Sequence, residues 1–577
     1  MRTSILFVTI FVGLAFLTAK EFFITGKQES VIQYRLVQQI VPFPGIDQMQ
    51  VSFVVPTDFQ SPTYQQQINE LEFRFNPEPV QQSRETDQRG NQVRKFLWEN
   101  PTGTIQCEVA LKAHNRVKLE ALQSSAPFPL TEVPAEVRPY LQPTEQVPSQ
   151  NEEIRTLARK LTTPAGSELE AVRAVLHYVN DHLHYVLVPK QYDALYSLHT
   201  GKGNCQNYSH LSAALLRAVG IPARIVNGIT LKKSYDLDVG EAIYTFDMAQ
   251  GRHSWIEVYF PDVGWLPFDP QQTEFFVSNR YLRIEVGLDN QETIQDGLVR
   301  WSQSSGSEKQ VPQLEEAIEA NFVQDQVQLK CEKIVEGPAS LFLSPMLEPA
   351  MIAATPPPPE EPKPGMPEPG KPEPGQLPED LANLTYRYPL TIGNLDFPRN
   401  FDFLRSRLFQ QQSGENGELK RNFIVETAEY VTGKEQFAQV FVLEEPMILR
   451  SISLALHSFG GSGELWLELC EDEGGKPGAP AARSRRISMR EIPNLPGYDW
   501  INFDFTREGL LLTPGRYWFV LKFSGSPIVN WFFSYGKPVG PVDGTRSCPI
   551  GQNNWQRILN YEFNYKVTGR GAVELHR

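Results

Sequence analysis

Cys205, His253 and Asp269 are residues of this 577-residue chain whose types could together cleave an acyl bond. A cysteine sulfur is a nucleophile, an imidazole can carry its proton, and a carboxylate can orient the imidazole. Cys205 follows a glycine-rich stretch, residues 201–203, and Asn204, a good helix N-cap. We therefore expect Cys205 on the first turn of a helix, whose positive end favours a thiolate over a thiol. The pattern predicts a reactive cysteine that requires a base.

The helix that follows Cys205 is predicted to be buried. Apolar residues recur at helical spacing from Tyr208 to Val219, and a Gly-Ile-Pro sequence ends the pattern. A metal site made of Cys205 and His210 is the alternative interpretation of this stretch. Side chains five residues apart on a helix point about 140° apart, so the two would diverge and we do not expect zinc.

His253 and Asp269 lie on two predicted strands joined by a turn. Residues 252–260 are rich in aromatic and β-branched types, residues 261–264 predict a turn, and residues 265–270 predict a returning strand. With an odd number of loop residues, the two side chains share a face as diagonal neighbours, and with an even number they point apart. The sequence alone does not settle that register.

Four short motifs resemble the transglutaminase-like superfamily, and they occur in the order found in that family. They are the Gly-x-Gly-x-Cys start at 201–205, the Leu-Leu-Arg-Ala-Val-Gly-Ile-Pro-Ala-Arg run at 215–224, His253-Ser254-Trp255, and Gly264-Trp265 followed by Asp269-Pro270. The resemblance covers about residues 150–275, roughly a quarter of the chain. It implies a papain-like core in which a cysteine on a helix pairs with a histidine and an aspartate from adjacent strands.

The resemblance also implies the roles of the three residues. Cys205 would be the nucleophile, His253 the general base and acid, and Asp269 the residue that orients the imidazole. Eukaryotic members of the family cross-link glutamine to lysine, whereas many microbial members resemble peptidases or amidases. The resemblance therefore implies the chemical machinery and leaves the substrate open.

Acyl transfer requires an oxyanion hole, for which the backbone N–H of Cys205 is a natural first donor. The second donor should come from upstream, where Gln191, Tyr192 and His199 are all chemically able, and these alternatives stay open. Trp255, two residues after the histidine, projects to the same strand face. It would either cover the site or pack in the core.

The length of the chain and its N-terminal apolar run predict a large exported protein. A chain of 577 residues exceeds a single core, and its net charge of −14 argues against nucleic acid or anionic lipid as the main partner. Residues 1–23 contain an apolar run from Ile5 to Ala19, which predicts a signal peptide or an uncleaved signal anchor. We expect the rest of the chain in the periplasm, outside the cell, or anchored to a membrane.

The fold class predicted for the whole chain is multidomain α+β, with a transglutaminase-like core between two β-sandwiches. The predicted units are an N-terminal β-sandwich at 24–135, a catalytic domain with a C-terminal extension at 136–350, a proline-rich linker at 351–380 and a jelly-roll-like C-terminal β-sandwich at 381–577.

Several smaller elements are predicted within these units. Helices are expected at 152–161 and at 167–184, where Ser167 and Glu170 form a capping-box pattern, and a helix-like segment is expected at 312–321. A strand is expected at 281–286. The polar excursion at 232–250 either sets substrate access or is a solvated connector.

The C-terminal unit offers two further hypotheses. Five tryptophans either form aromatic platforms for a cell-wall or carbohydrate ligand or pack in the core; they are Trp466, Trp500, Trp518, Trp531 and Trp555. An exported chain permits disulfides, and Cys470 with Cys548 is the first pair to test.

Together these patterns predict a cysteine enzyme that acts on a protein or peptide substrate and requires no cofactor and no metal. Hydrolysis of a peptide or amide bond is the first interpretation, and cross-linking acyl transfer is the second. A catalytically silent binding or cell-envelope scaffold protein that retains the fold is an alternative of a different class.

Overall fold

A computed structural model describes most of the chain from residue 19 to residue 574. The described residues are 19–120, 124–239, 242–246, 250–271, 276–304, 310–337, 341–343, 384–393, 409–412, 416–421, 428–493, 498–535 and 544–574. The apolar run before residue 19 and the proline-rich linker at 351–380 lie outside these residues. None of the helices in the described ranges is long and apolar enough to cross a membrane.

The chain begins with seven β-strands. They are β1 Ala19–Val41, β2 Ile46–Val54, β3 Phe59–Gln60, β4 Tyr64–Asn76, β5 Gln81–Thr86, β6 Gln92–Glu99 and β7 Ile105–Leu119. Buried residues alternate with less buried ones along β7, and Ile105, Cys107 and Val109 face the core. Residues 19–23, which the sequence assigned to the export segment, belong instead to β1, where Phe22 and Phe23 are buried.

The central region contains the four α-helices of the described residues and a small sheet. Its elements are α1 Glu152–Thr162, α2 Glu168–His182, β8 His184–Tyr185, α3 Ala194–Thr200, β9 Lys202–Gly203, α4 Cys205–Ala218, β10 Ala223–Thr230, β11 Tyr235–Asp238, β12 Ile243–Phe246, β13 Gly251–Phe260, β14 Gly264–Phe268 and β15 Tyr281–Gly287. The capping box of Ser167 and Glu170 is present. Strands in the order β14-β13-β10-β15 form a sheet, and one hydrophobic cluster joins it to the helices.

The remaining strands run from residue 298 to residue 574. They are β16 Leu298–Gln303, β17 Gln313–Gly337, β18 Leu341–Leu343, β19 Leu384–Ile392, β20 Phe409–Gln412, β21 Asn416–Arg421, β22 Ala428–Tyr430, β23 Glu435–Leu443, β24 Met447–Asp472, β25 Pro477–Arg483, β26 Ile487–Ser488, β27 Asp499–Asp504, β28 Leu511–Leu512, β29 Gly515–Tyr535, β30 Thr545–Pro549, β31 Arg557–Leu559, β32 Tyr561–Phe563 and β33 Tyr565–Glu574.

The helix predicted at 312–321 is wrong, because these residues belong to β17. Leu314, Ile318 and Phe322 lie an even number of residues apart and face the hydrophobic cluster of the first strands. β17 pairs with β1 along its whole length, from Val41 opposite Gln313 to Ala19 opposite Gly337. Long-range pairing has therefore overridden the helix-favouring composition of this segment.

The first strands and the strands after residue 298 build two six-stranded sheets together. One has the order β17-β1-β7-β4-β3, with β18 beside β1, and the other has the order β20-β21-β16-β2-β6-β5. Apolar residues of both sheets share one hydrophobic cluster. The part of the chain predicted as an extension of the catalytic domain thus completes the N-terminal sheets, because its apolar faces are buried against them.

The C-terminal strands form a large sheet that reaches the central region. Its main order is β11-β12-β31-β30-β23-β29-β24-β33-β19, so the excursion at 232–250 supplies two of its strands. β12 pairs in parallel with β31, and Arg557 forms an ion pair with Asp236 at 3.2 Å. Tyr498 and Phe532 pack in the same cluster as the central helices. The C-terminal region therefore packs directly on the central one.

Burial argues against three of the five tryptophans as ligand platforms. Trp518, Trp531 and Trp555 are at most 5% exposed and belong to the hydrophobic clusters. Trp500 packs against the cluster of the central helices, and Trp466 lies under the guanidinium of Arg486, 4.4 Å from its ring centre. The core interpretation holds for the three buried rings.

The disulfide predicted between Cys470 and Cys548 is wrong, because both thiols are free. Cys470 lies on β24 and Cys548 on β30, and two strands, β29 and β23, lie between them. Three strand spacings amount to about 14 Å, whereas the Cα atoms of a disulfide lie within about 7 Å.

Replacement of Gly228 by alanine is expected to destabilise the central sheet. A Cβ atom at this position would lie 2.2 Å from the carbonyl oxygen of Leu282 and 2.4 Å from the ring of Trp255. Such overpacking costs about 1–3 kcal/mol, so the thermal unfolding midpoint should fall. Gly103→Ala is the matched control, since nothing lies within 4 Å of its added Cβ. Equal midpoints for the two variants would contradict the crowding at Gly228.

Candidate active site

Cys205 is the first residue of α4, as the sequence predicts. The side chain of Asn204 accepts a hydrogen bond from the Gln206 N–H at 3.1 Å, and the Asn207 side chain accepts one from the Asn204 N–H at 3.1 Å. This capping box fixes the helix start. A Cβ at Gly203 would lie 2.2 Å from the Asn207 Cβ, so only glycine fits before the cap. Cys205 itself is 2% exposed.

The register of the β13–β14 hairpin brings His253 and Asp269 to one face. Phe260 pairs with Gly264 and Ile256 with Phe268, so the loop consists of three residues. With an odd number of loop residues, His253 and Asp269 become diagonal neighbours on one face of the hairpin. Asp269 directly follows β14, which ends at Phe268.

The structure brings all three predicted residues together in a buried group. Nε2 of His253 lies 2.8 Å from Oδ2 of Asp269, and the His253 ring also hydrogen-bonds to the Cys205 side chain. Because the carboxylate occupies Nε2, Nδ1 is the nitrogen left for the sulfur. His253 is 3% exposed and Asp269 is 0% exposed, so water does not screen the pair.

The charge of Asp269 determines the protonation of His253. Burial opposes a charged imidazolium, but the negative charge of Asp269 and its hydrogen bond outweigh burial, with a smaller contribution from Cys205. Together they raise the pKa of His253 to about 10. The ring is therefore protonated at neutral pH and carries a positive charge beside the sulfur.

Sequence reasoning missed three groups that hold Asp269 and the two residues after it in place. The Tyr281 hydroxyl donates a hydrogen bond to Oδ2, and the Gln271 N–H donates one to Oδ1 at 3.0 Å. The side-chain amide of Asn180, on α2, donates to the carbonyls of Pro270 and Gln271 at 3.2 and 3.3 Å. No local pattern distinguishes Tyr281 or Asn180, because their roles arise only from tertiary contacts.

Trp255 packs beside the histidine in the core. Its ring lies 6.0 Å from the His253 ring at an interplanar angle of 26°, and 5.3 Å from the Tyr281 ring at 88°. It is 1% exposed. Trp255 thus forms an apolar wall that excludes water from the imidazole.

Both ring nitrogens of His210 make hydrogen bonds within the protein. Its Nδ1 donates to the Tyr192 carbonyl at 2.6 Å, and its Nε2 accepts from the Asn290 N–H at 3.2 Å. Burial lowers the pKa of His210, so the ring is neutral, as these two contacts require. With both nitrogens engaged, this histidine holds the loop that contains Tyr192.

The three candidates for the second oxyanion donor lie in different surroundings. The ring of His199 is bonded to Glu153 at 2.7 Å on an exposed surface, and the Gln191 side chain is exposed. Tyr192 is partly buried, and burial first and the Cys205 charge second raise its pKa to about 12. Of the three, the Tyr192 hydroxyl is therefore the one with an electrostatic interaction with the sulfur.

The central region matches a known family at the sequence level. Residues 155–270 match the model of the family described as the transglutaminase-like superfamily, and this part of the chain is a transglutaminase-like domain. The chain is 35% identical over 140 residues to the uncharacterized protein YebA of Bacillus subtilis. It is also 31% identical over 125 residues to the protein-glutamine gamma-glutamyltransferase of Pseudomonas aeruginosa. Each match covers under a quarter of this chain and 18% of the relative.

Two solved structures share limited similarity with the chain. A candidate cysteine protease from Cytophaga hutchinsonii is 17% identical, covers 53% of this chain and 94% of its own, and has a TM-score of 0.40. The periplasmic domain of TgpA from Pseudomonas aeruginosa is 18% identical, covers 42% of this chain and 90% of its own, and has a TM-score of 0.22.

Substitution of Asp269 by asparagine is expected to return the titration of His253 toward an ordinary histidine. Loss of the negative charge removes the main cause that raises the pKa of His253 to about 10, so the ring should lose its proton at lower pH. NMR of selectively ¹³C-labelled histidine measures this midpoint. Asp236→Asn, an exposed aspartate on β11, is the control and should leave the midpoint unchanged. An unchanged midpoint in the Asp269 variant would contradict the ion pair.

Proposed function

We propose that the chain is an exported cysteine hydrolase of transglutaminase-like type that cleaves peptide or amide bonds. The observation that carries this proposal is the buried group in which His253 contacts both Asp269 and Cys205. A nucleophile, a base and an orienting carboxylate in mutual contact are the minimum arrangement for thioacyl chemistry. The name of the Pseudomonas aeruginosa relative, a protein-glutamine gamma-glutamyltransferase, supports the same class of reaction.

The proposed reaction begins with attack of the Cys205 thiolate on the amide carbonyl carbon. The carbon–sulfur bond forms, and the electron pair of the carbonyl moves to its oxygen, where the Cys205 N–H donates a hydrogen bond. As the carbon–nitrogen bond breaks, the imidazolium of His253 gives its proton to the leaving amine. Asp269 keeps the ring oriented throughout.

Water completes the proposed cycle. The neutral imidazole of His253 removes a proton from water, the resulting hydroxide attacks the thioester carbonyl, and the thiolate leaves. Hydrolysis is our first proposal because water needs no binding site of its own. Acyl transfer to an amine is the second, and the name of the Pseudomonas aeruginosa relative favours it.

We infer that Tyr192 supplies the second oxyanion donor. Its partly buried hydroxyl interacts electrostatically with Cys205, and the contact between His210 and the Tyr192 carbonyl fixes its backbone. A tyrosine hydroxyl is protonated at neutral pH, as a hydrogen-bond donor must be, and the raised pKa of Tyr192 extends that state to more alkaline pH. With the Cys205 N–H and the Tyr192 hydroxyl as the two donors, the substrate carbonyl would lie between α4 and the loop before α3.

Export and domain roles complete the proposal. The apolar residues 5–19 would direct the chain out of the cytoplasm, with or without retention as a membrane anchor. The N-terminal and C-terminal sheets would form sandwiches that flank the transglutaminase-like domain. A cell-wall or carbohydrate ligand for the C-terminal region would have to use surfaces other than the buried tryptophans.

Cys205 is expected to react with iodoacetamide at mildly acidic pH. The cationic ring of His253 stabilises the thiolate there, whereas burial raises the pKa of the Cys331 thiol and keeps it protonated. Mass spectrometry of tryptic peptides measures the labelling of both cysteines in one sample, so Cys331 is an internal control. Labelling of Cys205 only at alkaline pH would favour the silent scaffold protein.

Turnover is expected in the wild type and absent in Cys205→Ala. Peptide libraries and a fluorescent amine, offered together, distinguish the two activities: cleaved peptides indicate hydrolysis, and peptides carrying the amine indicate transfer. Removal of a catalytic nucleophile commonly lowers kcat by several orders of magnitude, about 10⁶-fold in one well-studied hydrolase. Cys331→Ser is the matched variant and should retain full activity. If Cys205→Ala is as active as the wild type, the proposed mechanism is wrong.

A further inference from the structure

Tyr281 makes a contact that the proposed mechanism does not yet use. Its hydroxyl donates to Oδ2 of Asp269, the same oxygen that bonds to Nε2 of His253. The rings of Tyr281 and His253 also meet edge to face, with their centres 5.6 Å apart. A second donor on that oxygen shares the negative charge that His253 would otherwise receive alone.

Two side chains of the N-terminal sheets hold the Tyr281 backbone. Its carbonyl accepts from the Tyr64 hydroxyl at 2.8 Å and from the Asn115 side-chain amide at 2.7 Å. Tyr64 lies on β4 and Asn115 on β7, and both are at most 1% exposed. Hydrogen bonds in such a dry environment are strong and directional.

The residues before Tyr281 are held in the same way. The Asn279 N–H donates to the Gln28 side chain at 3.1 Å, and its carbonyl accepts from the Ser30 hydroxyl at 3.1 Å. Arg280 forms two hydrogen bonds with Asp325 of β17, at 2.6 and 2.9 Å. Residues 279–281 are therefore fixed by strands β1, β4, β7 and β17 of one N-terminal sheet.

We propose that Tyr281 is a positioning residue for the reaction and that the N-terminal sheet holds it in place. This inference rests on the proposed function of Cys205, His253 and Asp269. By sharing Oδ2, the Tyr281 hydroxyl limits how strongly Asp269 stabilises the imidazolium of His253 through Nε2. The proton on Nδ1, the nitrogen on the side of the sulfur, is then held weakly enough to be given to the leaving amine. The N-terminal region thereby becomes part of the catalytic machinery.

Tyr281→Phe tests the sharing of the carboxylate oxygen. Without the hydroxyl, Asp269 acts on His253 alone, so the midpoint of the His253 titration should rise by about one pH unit, the worth of one hydrogen bond to a charged group. A purely structural role predicts the opposite, because a loosened ion pair lowers that midpoint. Histidine NMR measures the midpoint without any turnover. A fall, or no change, overturns the proposal.

The kinetic readout separates this proposal from the proposed function. A more tightly held proton is donated more slowly, so kcat should fall about tenfold in Tyr281→Phe while KM stays within about twofold. Tyr244→Phe removes another buried hydroxyl from the same hydrophobic cluster and should leave kcat unchanged. Wild-type protein without turnover refutes the proposed function, and the NMR midpoint then still decides the role of Tyr281.

Tyr64→Phe tests whether the N-terminal sheet controls the site. It removes one hydroxyl that holds the Tyr281 carbonyl, leaves the side chains of the reaction intact, and serves as the second variant if Tyr281→Phe does not fold. We expect the His253 midpoint to rise and kcat to fall, each by less than in Tyr281→Phe. A wild-type midpoint and kcat in a folded Tyr64→Phe protein would overturn the role assigned to the sheet.

Discussion

The cost of burying the charge of Asp269 is the constraint on which the site depends. A carboxylate with no solvent exposure is stable only when its oxygens are hydrogen-bonded and its charge is compensated. The structure supplies the His253 ring and the Tyr281 hydroxyl on one oxygen and the Gln271 N–H on the other. Each donor comes from a different position along the chain, so satisfying this one carboxylate determines how β13, β14 and β15 must meet.

The packing around the site makes the transglutaminase-like domain one part of a larger unit. Strands after residue 298 return to the first strands, and their sheet holds residues 279–281 at the edge of the site. On another side, β31 extends the hairpin of β11 and β12, which directly precedes the strand of His253. The geometry of the site thus depends on residues distributed over most of the described chain.

Local sequence signals predicted the helix starts near the site more successfully than they predicted the architecture. The start of α4 and the capping box of α2 depend on neighbouring residues, and both were found from the sequence. The sequence left open whether the loop of the β13–β14 hairpin has an odd or an even number of residues. The structure has three loop residues, an odd number. The strand at 313–337, the role of Tyr281 and the separation of Cys470 from Cys548 depend on contacts between distant segments. Propensity and spacing contain no information about such contacts.

The ion pair between His253 and Asp269 also stabilises the fold, and this affects how variants of either residue must be interpreted. Because the pKa of His253 is raised from 6.5 to about 10, the ion pair stabilises the fold fully below pH 6.5, and that contribution is lost as the pH rises through 10. A change of His253 to alanine would leave Asp269 buried and uncompensated, which typically costs about 3–5 kcal/mol. Lost activity in such a variant reports unfolding as well as chemistry. Removal of Cys205 leaves the ion pair between Asp269 and His253 in place, so it is the cleaner probe of the reaction.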